Sequence, residues 1–382
     1  MRKICVVVAS RANYGRVKYV LKAIEEHADL QLQLIVSASM LLDRYGKAVG
    51  VLEKEGFKPD RKVYYVVEGE NLIAQAKSTG LGIIELSTIF SELEPDVVIT
   101  VADRYETMAT AIAASYLNIP LAHIQGGEIT GNIDESVRHA ITKLAHYHFP
   151  ATEQSRDRLL KMGEEPWRVV NTGCPAIDSL YHQDLSISDE MMEEFQSNVG
   201  MKIDFSKPYI LMMQHPVTTT PEEGRRQVEK TLNVLQKRPE QKIIMWPNID
   251  AGSDLVSRGI RVFRDKNANA NFGYFKNFPP EIYNRVLNNA ICAVGNSSSF
   301  IREASFLGTP TIIVGDRQEG REHGPNAVFV DYDEKQISEA LEMQIRHGKY
   351  AQETIFGSGN AGEKIADYLA TVDLSINKRM TY

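Results

Sequence analysis

The chain has 382 residues, 43% of them hydrophobic, so two domains of about 150 residues or more, each with its own core, are expected, and a peptide module or a disordered chain is excluded. Lys and Arg number 43 against 50 Asp and Glu, a net charge of −7 that excludes the overall positive field by which a protein attracts nucleic acid or anionic lipid. The three cysteines, Cys5, Cys174 and Cys292, are widely spaced without a CxxC pair, which argues against a disulfide framework or a structural zinc site.

At the amino terminus, Met1-Arg2-Lys3 before the apolar run Ile4–Ala9 imitates a secretory signal, but the run is short and meets Arg11 at once. No other stretch approaches the ~18 apolar residues of a membrane span. A cytoplasmic protein is expected, without membrane or nucleic-acid partners.

Short Val/Ile/Leu runs then alternate with amphipathic stretches of helical length, the pattern of βαβ units feeding parallel sheets. The first series of strands is Ile4–Ala9, Leu32–Ser37, Val97–Val101 and Leu121–Gln125, with helices near Tyr14–Glu26, Ile83–Glu92, Glu106–Leu117 and Ser136–Leu144. The second is Tyr209–Gln214, Lys242–Pro247, Ala293–Gly295 and Thr311–Gly315, with helices near Pro221–Gln236, Glu281–Asn288 and Phe300–Phe306. Between them, Asn171–Pro175 and the acidic stretch Asp184–Phe195 read as a linker, and Gly357–Gly362 is a second break before a terminal helix, Glu363–Ala370. The expectation is an α/β protein of two Rossmann-like doubly wound domains facing a central cleft. Residues 1–173 form the first, 174–362 the second, and 363–382 a helix and tail packing back on the first.

Open parallel sheets bind ligands beyond the carboxyl ends of their strands, so residues just after strands are the candidates. In the second domain, Pro216 keeps His215 extended at a strand end. Gly295-Asn296-Ser297-Ser298 reads as a strand running into a capped helix start, where free N–H groups and the dipole would suit phosphate. Arg317 and Arg321 follow the last strand as charge-assisted donors, and Glu303 offers a carboxylate for the hydroxyls of a ribose. In the first domain, Asp103-Arg104 ends one strand, Gln125-Gly126-Gly127-Glu128 ends the next, and Asp134 follows. Clustered carboxylates facing an imidazole are what proton abstraction and return require. An N-cap role for Asp103 and a turn role for Asp134 are the simpler alternatives. His139, His146 and His148 lack the spacing of a metal site, and the first βα turn, Ser10-Arg11-Ala12-Asn13, lacks GxGxxG, although Arg11 suits an anion. Neither a P-loop nor a GxSxG elbow occurs.

Eight strings occur in one order: Ser10-Arg11-Ala12-Asn13-Tyr14-Gly15, Ala102-Asp103-Arg104-Tyr105-Glu106, His123-Ile124-Gln125-Gly126-Gly127-Glu128, Asp134-Glu135-Ser136-Val137-Arg138-His139, Gln214-His215-Pro216-Val217-Thr218-Thr219, Pro247-Asn248-Ile249-Asp250-Ala251-Gly252, Gly295-Asn296-Ser297-Ser298 and Gly315-Asp316-Arg317-Gln318. Together they resemble the hydrolysing UDP-N-acetylglucosamine 2-epimerases of sialic acid biosynthesis. The resemblance implies a GT-B-like fold, a nucleotide-sugar substrate, no cofactor, no metal, and a homo-oligomer, dimer or tetramer. It implies a UDP-binding set of Arg11, His215, Asn248, Ser297, Ser298, Glu303 and Arg317, with Arg104 neutralising the diphosphate. Asp103, Glu128 and Asp134 resemble the acid/base set, with His215 as a further catalytic candidate and Gln125 as a substrate-binding one. Many members carry glutamate where this chain has Gln125, and a histidine-glycine pair where it has Val101-Ala102. An amide moves no proton, so either Glu128 takes that work or the substrate is UDP-N,N′-diacetylbacillosamine. A GT-B glycosyltransferase and a nucleotide-sugar binding protein without turnover are the competing classes.

Overall fold

The structure is a computed structural model that describes residues 1–43, 47–68, 72–130, 133–196, 199–217, 220–247, 252–267 and 271–381. The chain divides into two compact units, residues 1–181 with 356–382, and residues 182–355.

The first unit runs β1 (Arg2–Val8), α1 (Arg11–Glu26), β2 (Leu30–Ser37), α2 (Val49–Lys54), β3 (Arg61–Val63), α3 (Leu72–Leu93) and β4 (Val97–Val101). It continues through α4 (Tyr105–Tyr116), β5 (Leu121–Ile124), α5 (Ile133–Leu144), β6 (Tyr147–Phe149), α6 (Glu153–Lys161) and α7 (Pro175–Tyr181). Its six strands are parallel in the order β3-β2-β1-β4-β5-β6. Side chains alternate across a strand, and β1 is apolar on both sides because helices cover both. Ile4, Val6 and Val8 pack with Val17, Leu21 and Ile24 of α1, whereas Cys5 and Val7 pack with Leu86 and Phe90 of α3 and Ala109 of α4.

The second unit runs α8 (Asp189–Met192), β7 (Tyr209–Met213), α9 (Gly224–Gln236), β8 (Gln241–Met245), α10 (Ser253–Lys266), β9 (Phe272–Phe275) and α11 (Pro280–Asn289). Then follow β10 (Cys292–Gly295), α12 (Glu303–Leu307), β11 (Thr311–Val314), β12 (Ala327–Val330) and α13 (Glu334–His347). Its parallel order, β12-β11-β10-β7-β8-β9, repeats the first winding. On one face, Ile210, Met212 and Ile244 pack against Val228 and Leu232 of α9, Ile260 of α10 and Leu341 of α13. The two doubly wound halves are Rossmann-like.

The last helix, α14 (Ala361–Thr371), joins the first unit. Ile365, Ala366 and Leu369 enter the α1 side of its core, and the Asp178 carboxylate of α7 caps the helix by accepting from the N–H groups of Ala361 (3.0 Å) and Gly362 (2.7 Å). This tie places residues 174–181 and 356–362 with the first unit, so the division falls at 181/182 and 355/356 where the sequence suggested 173/174 and 362/363. Of the segment read as a linker, Asn171–Pro175 belongs to the first unit, and the acidic stretch Asp184–Phe195 is built into the second. Gln183 and Asn289 donate across it to the Glu281 and Leu185 carbonyls at 2.6 and 2.8 Å, and it contains α8.

The apolar-run pattern does not pick out β3, β6, β9 and β12, which have three or four residues each. β3, β6, β9 and β12 are also the four edge strands. The expected helix over Phe300–Phe306 is replaced by a 3₁₀ turn, Ser298–Phe300, and the five-residue α12. Phe300, Ile301 and Arg302 are buried in succession, which a one-faced helix does not allow.

Candidate active site

Each sheet reverses its winding at one point, between β1 and β4 in the first unit and between β7 and β10 in the second. Crossover helices leave in opposite directions there and open a crevice at the carboxyl ends of the strands. The residues leaving these four strands are Ser10 and Arg11, Asp103 and Arg104, His215, and Asn296 to Ser298.

In the first unit, Arg11 is half-buried at the first position of α1, beside Ser10, whose hydroxyl caps the helix by accepting from the Asn13 N–H at 3.2 Å. Asp103 leaves β4 and does not cap α4, whose N-cap is Arg104 without a side-chain bond. The Asp103 carboxylate, 15% exposed, forms an ion pair with the guanidinium of Arg138 on α5, which is 1% exposed. Arg138 also donates to the Glu128 carbonyl at 2.8 Å and to the Thr130 hydroxyl at 3.3 Å. One buried cation therefore ties together the turns that carry Asp103 and Glu128. Sequence reading missed this role, because the partners are 35 positions apart and no local spacing announces them. Asp134 is half-buried in the first turn of α5, the end of a helix that favours a carboxylate. Arg104 donates from Nε to the fully buried Glu106 at 3.2 Å.

Gln125 is 1% exposed and holds φ at +64° directly after β5. Its amide donates to the Cys174 sulfur at 2.8 Å, and its Oε1 has no hydrogen-bond partner among the described residues. Glu128, three residues on, is 8% exposed. The three histidines set aside as metal ligands have other work. His139 faces Glu135 at 3.6 Å, His146 accepts from the Leu121 N–H at 3.1 Å, and His148 bonds Glu164 at 3.0 Å.

In the second unit, β10 ends in Gly295 at φ +142°, where a Cβ would lie 2.0 Å from the Met213 carbonyl oxygen, so only glycine lets β10 end this close to β7. That approach lets Asn296 clamp His215: its Oδ1 accepts from the His215 N–H at 2.7 Å and its Nδ2 donates to the His215 carbonyl at 2.9 Å. His215 is 3% exposed. Arg317 and Gln318 both donate to the Asn296 carbonyl, at 3.2 and 2.9 Å, so β7, β10 and the segment after β11 form one hydrogen-bonded unit. Ser297 caps the 3₁₀ turn and its hydroxyl meets that of Ser299 at 2.9 Å, while Ser298 is half-buried. The long helix dipole expected behind these serines is absent, since α12 has five residues; their hydroxyls and N–H groups remain as donors. Glu303 opens α12 with a buried Oε2 that has no hydrogen-bond partner among the described residues. Asn248 lies outside the described residues.

The chain is 31% identical to the hydrolysing UDP-N,N′-diacetylbacillosamine 2-epimerase of Legionella pneumophila over 98% of this chain and 97% of that one. It is 30% identical to a UDP-N-acetylglucosamine 2-epimerase of Neisseria meningitidis over 99% and 98%. Among solved structures, the Methanocaldococcus jannaschii UDP-GlcNAc 2-epimerase in complex with UDP-GlcNAc and UDP shares the fold, with a TM-score of 0.78, 19% identity, and coverage of 96% of this chain and 99% of that one. Residues 22–370 match the model of the UDP-N-acetylglucosamine 2-epimerase family, and with two relatives at this identity spanning both chains almost completely, the protein belongs to that family of enzymes.

Proposed function

We propose that the protein is a hydrolysing 2-epimerase that converts UDP-N-acetylglucosamine and water to N-acetylmannosamine and UDP. The observation that carries this reading is the pair of carboxylate-bearing turns, Asp103 and Glu128, joined by the buried Arg138 in the first unit. A carboxylate removes the C2 proton of the sugar. The C2–H electron pair becomes a C1=C2 double bond as the C1–O pair departs with UDP, leaving 2-acetamidoglucal. Water then adds its hydroxyl to C1, and a second acid returns a proton to C2 from the opposite face, which inverts that centre. Two proton-transfer groups are required, and Asp103, Glu128 and Asp134 supply them, with His215 as a further candidate. Arg11, Arg104 and Arg317 meet the charge that develops on the departing diphosphate. Ser297, Ser298, Asn248 and Glu303 hold the nucleotide, the buried Glu303 Oε2 being suited to accept from a ribose hydroxyl. Gln125 only donates and accepts hydrogen bonds. No cofactor or metal enters these steps.

The second substrate to test is UDP-N,N′-diacetylbacillosamine, because relatives named for the two sugars match the chain almost equally, at 31% and 30% identity. Incubation of each nucleotide sugar with the protein in deuterium oxide decides. Free UDP with a 2-epimeric sugar deuterated at C2 is expected. UDP release with the C2 hydrogen retained, or transfer to an added acceptor, sinks the reading in favour of a glycosyltransferase; binding without turnover leaves a nucleotide-sugar binding protein.

A further inference from the structure

His123 is the third residue of β5 and is fully buried. Its Nε2 lies 2.8 Å from the carbonyl oxygen of Ala102, which only accepts, so Nε2 carries the proton and Nδ1 does not. Ala102 is the residue between β4 and Asp103, and it holds φ at +63°, a left-handed conformation that costs a residue with a Cβ of order 1 kcal/mol. β5 holds it from both sides: the Ile124 carbonyl accepts from the Ala102 N–H at 2.9 Å, and the His123 ring donates to the Ala102 carbonyl. The other edge of the ring faces Gly126, where a Cβ would lie 3.0 Å from Nδ1, and Gly126-Gly127 leads directly into Glu128. Burial draws the imidazole down to about 3, so it stays neutral, in one tautomer, throughout the working pH range.

We propose that His123 is a positioning residue for proton transfer: a neutral imidazole wedged between the turn that presents Asp103 and the turn that presents Glu128, fixing the separation of the two carboxylates through the Ala102 carbonyl. The inference rests on the epimerase reading above. Its test pairs two variants. In His123→Asn the side chain is polar but too short to reach the Ala102 carbonyl, and in His123→Gln the amide nitrogen reaches about as far as Nε2. His123→Asn is expected to lose ~10–100-fold in kcat, the cost of misplacing reacting groups by about 1 Å, with KM and UDP affinity unchanged, while His123→Gln recovers most of the loss. An Asn variant as active as the native enzyme overturns the proposal, as does a Gln variant equally impaired or one whose defect lies in KM. Histidine-selective ¹⁵N NMR of the native protein tests the same point without substitution. One non-titrating ring protonated at Nε2 from pH 5 to 9 is expected, and titration or Nδ1 protonation of His123 refutes the wedge. Absence of C2 exchange in the native enzyme refutes the epimerase reading instead.

Discussion

Replacing Arg138 with Met removes the cation that joins the Asp103 and Glu128 turns while filling nearly the same volume. With it go the ion pair with Asp103, the 2.8 Å bond to the Glu128 carbonyl and the 3.3 Å bond to the Thr130 hydroxyl. Breaking one side of a buried pair costs about 3–5 kcal/mol, and a buried carbonyl left unpaired about 1–3 kcal/mol. The Asp103 carboxylate is 15% exposed and recovers part of its hydration, so the expected total is at the low end, about 3 kcal/mol. For a unit of this size that is a fall of roughly 6–12 °C in melting temperature, read by scanning calorimetry. Arg138→Lys restores a charge but not a fork that reaches three acceptors, and should recover less than half of the fall. A double-mutant cycle with Asp103→Asn isolates the pair and should return a coupling of about 1–3 kcal/mol. Additive effects of the two substitutions, or an Arg138→Met protein melting within about 2 °C of the native one, would refute the claim that this guanidinium organises the site.

Glu128→Gln and Asp103→Asn should each lose ~10²–10⁴-fold in kcat with UDP affinity nearly intact, whereas Gln125→Ala, a buried residue, should lower the melting temperature more than the turnover; an active Glu128→Gln removes Glu128 from the mechanism. Arg317→Ala should weaken UDP binding by ~1.5–3 kcal/mol in titration calorimetry, and unchanged affinity contradicts its assignment to the nucleotide. Acid should destabilise the first unit progressively. Burial lowers His146 to about 4 and His123 to about 3, so the unfolded chain binds more protons below pH 6.5, while burial opposes but His148 and Lys378 hold Glu164 down at about 2, a stabilisation lost as pH falls from 4.5. All three slopes have one sign, and a melting temperature that stays flat between pH 7 and 4 contradicts them.

Much was legible in the sequence because it is local. The βαβ alternation follows from periodicity, and the strand ends that carry Arg11, Asp103, Glu128, His215 and Ser297 follow from where the apolar runs stop. The close approach that Gly295 permits, to the Met213 carbonyl, is visible only in the folded chain. Other features needed the folded chain because their partners are remote in sequence. That Arg138 is buried under Asp103, that His123 holds Ala102 and that Cys174 accepts from Gln125 depend on β4 lying beside β5 and on the loop after residue 170 reaching the end of β5. The terminal helix shows the same division. Its amphipathic pattern is written in Glu363–Ala370, but its place against α1 rests on a cap from Asp178, more than 180 positions earlier. Periodicity determines which face of an element is buried; only the sheet order, a property of the whole chain, decides which charged side chains are buried together.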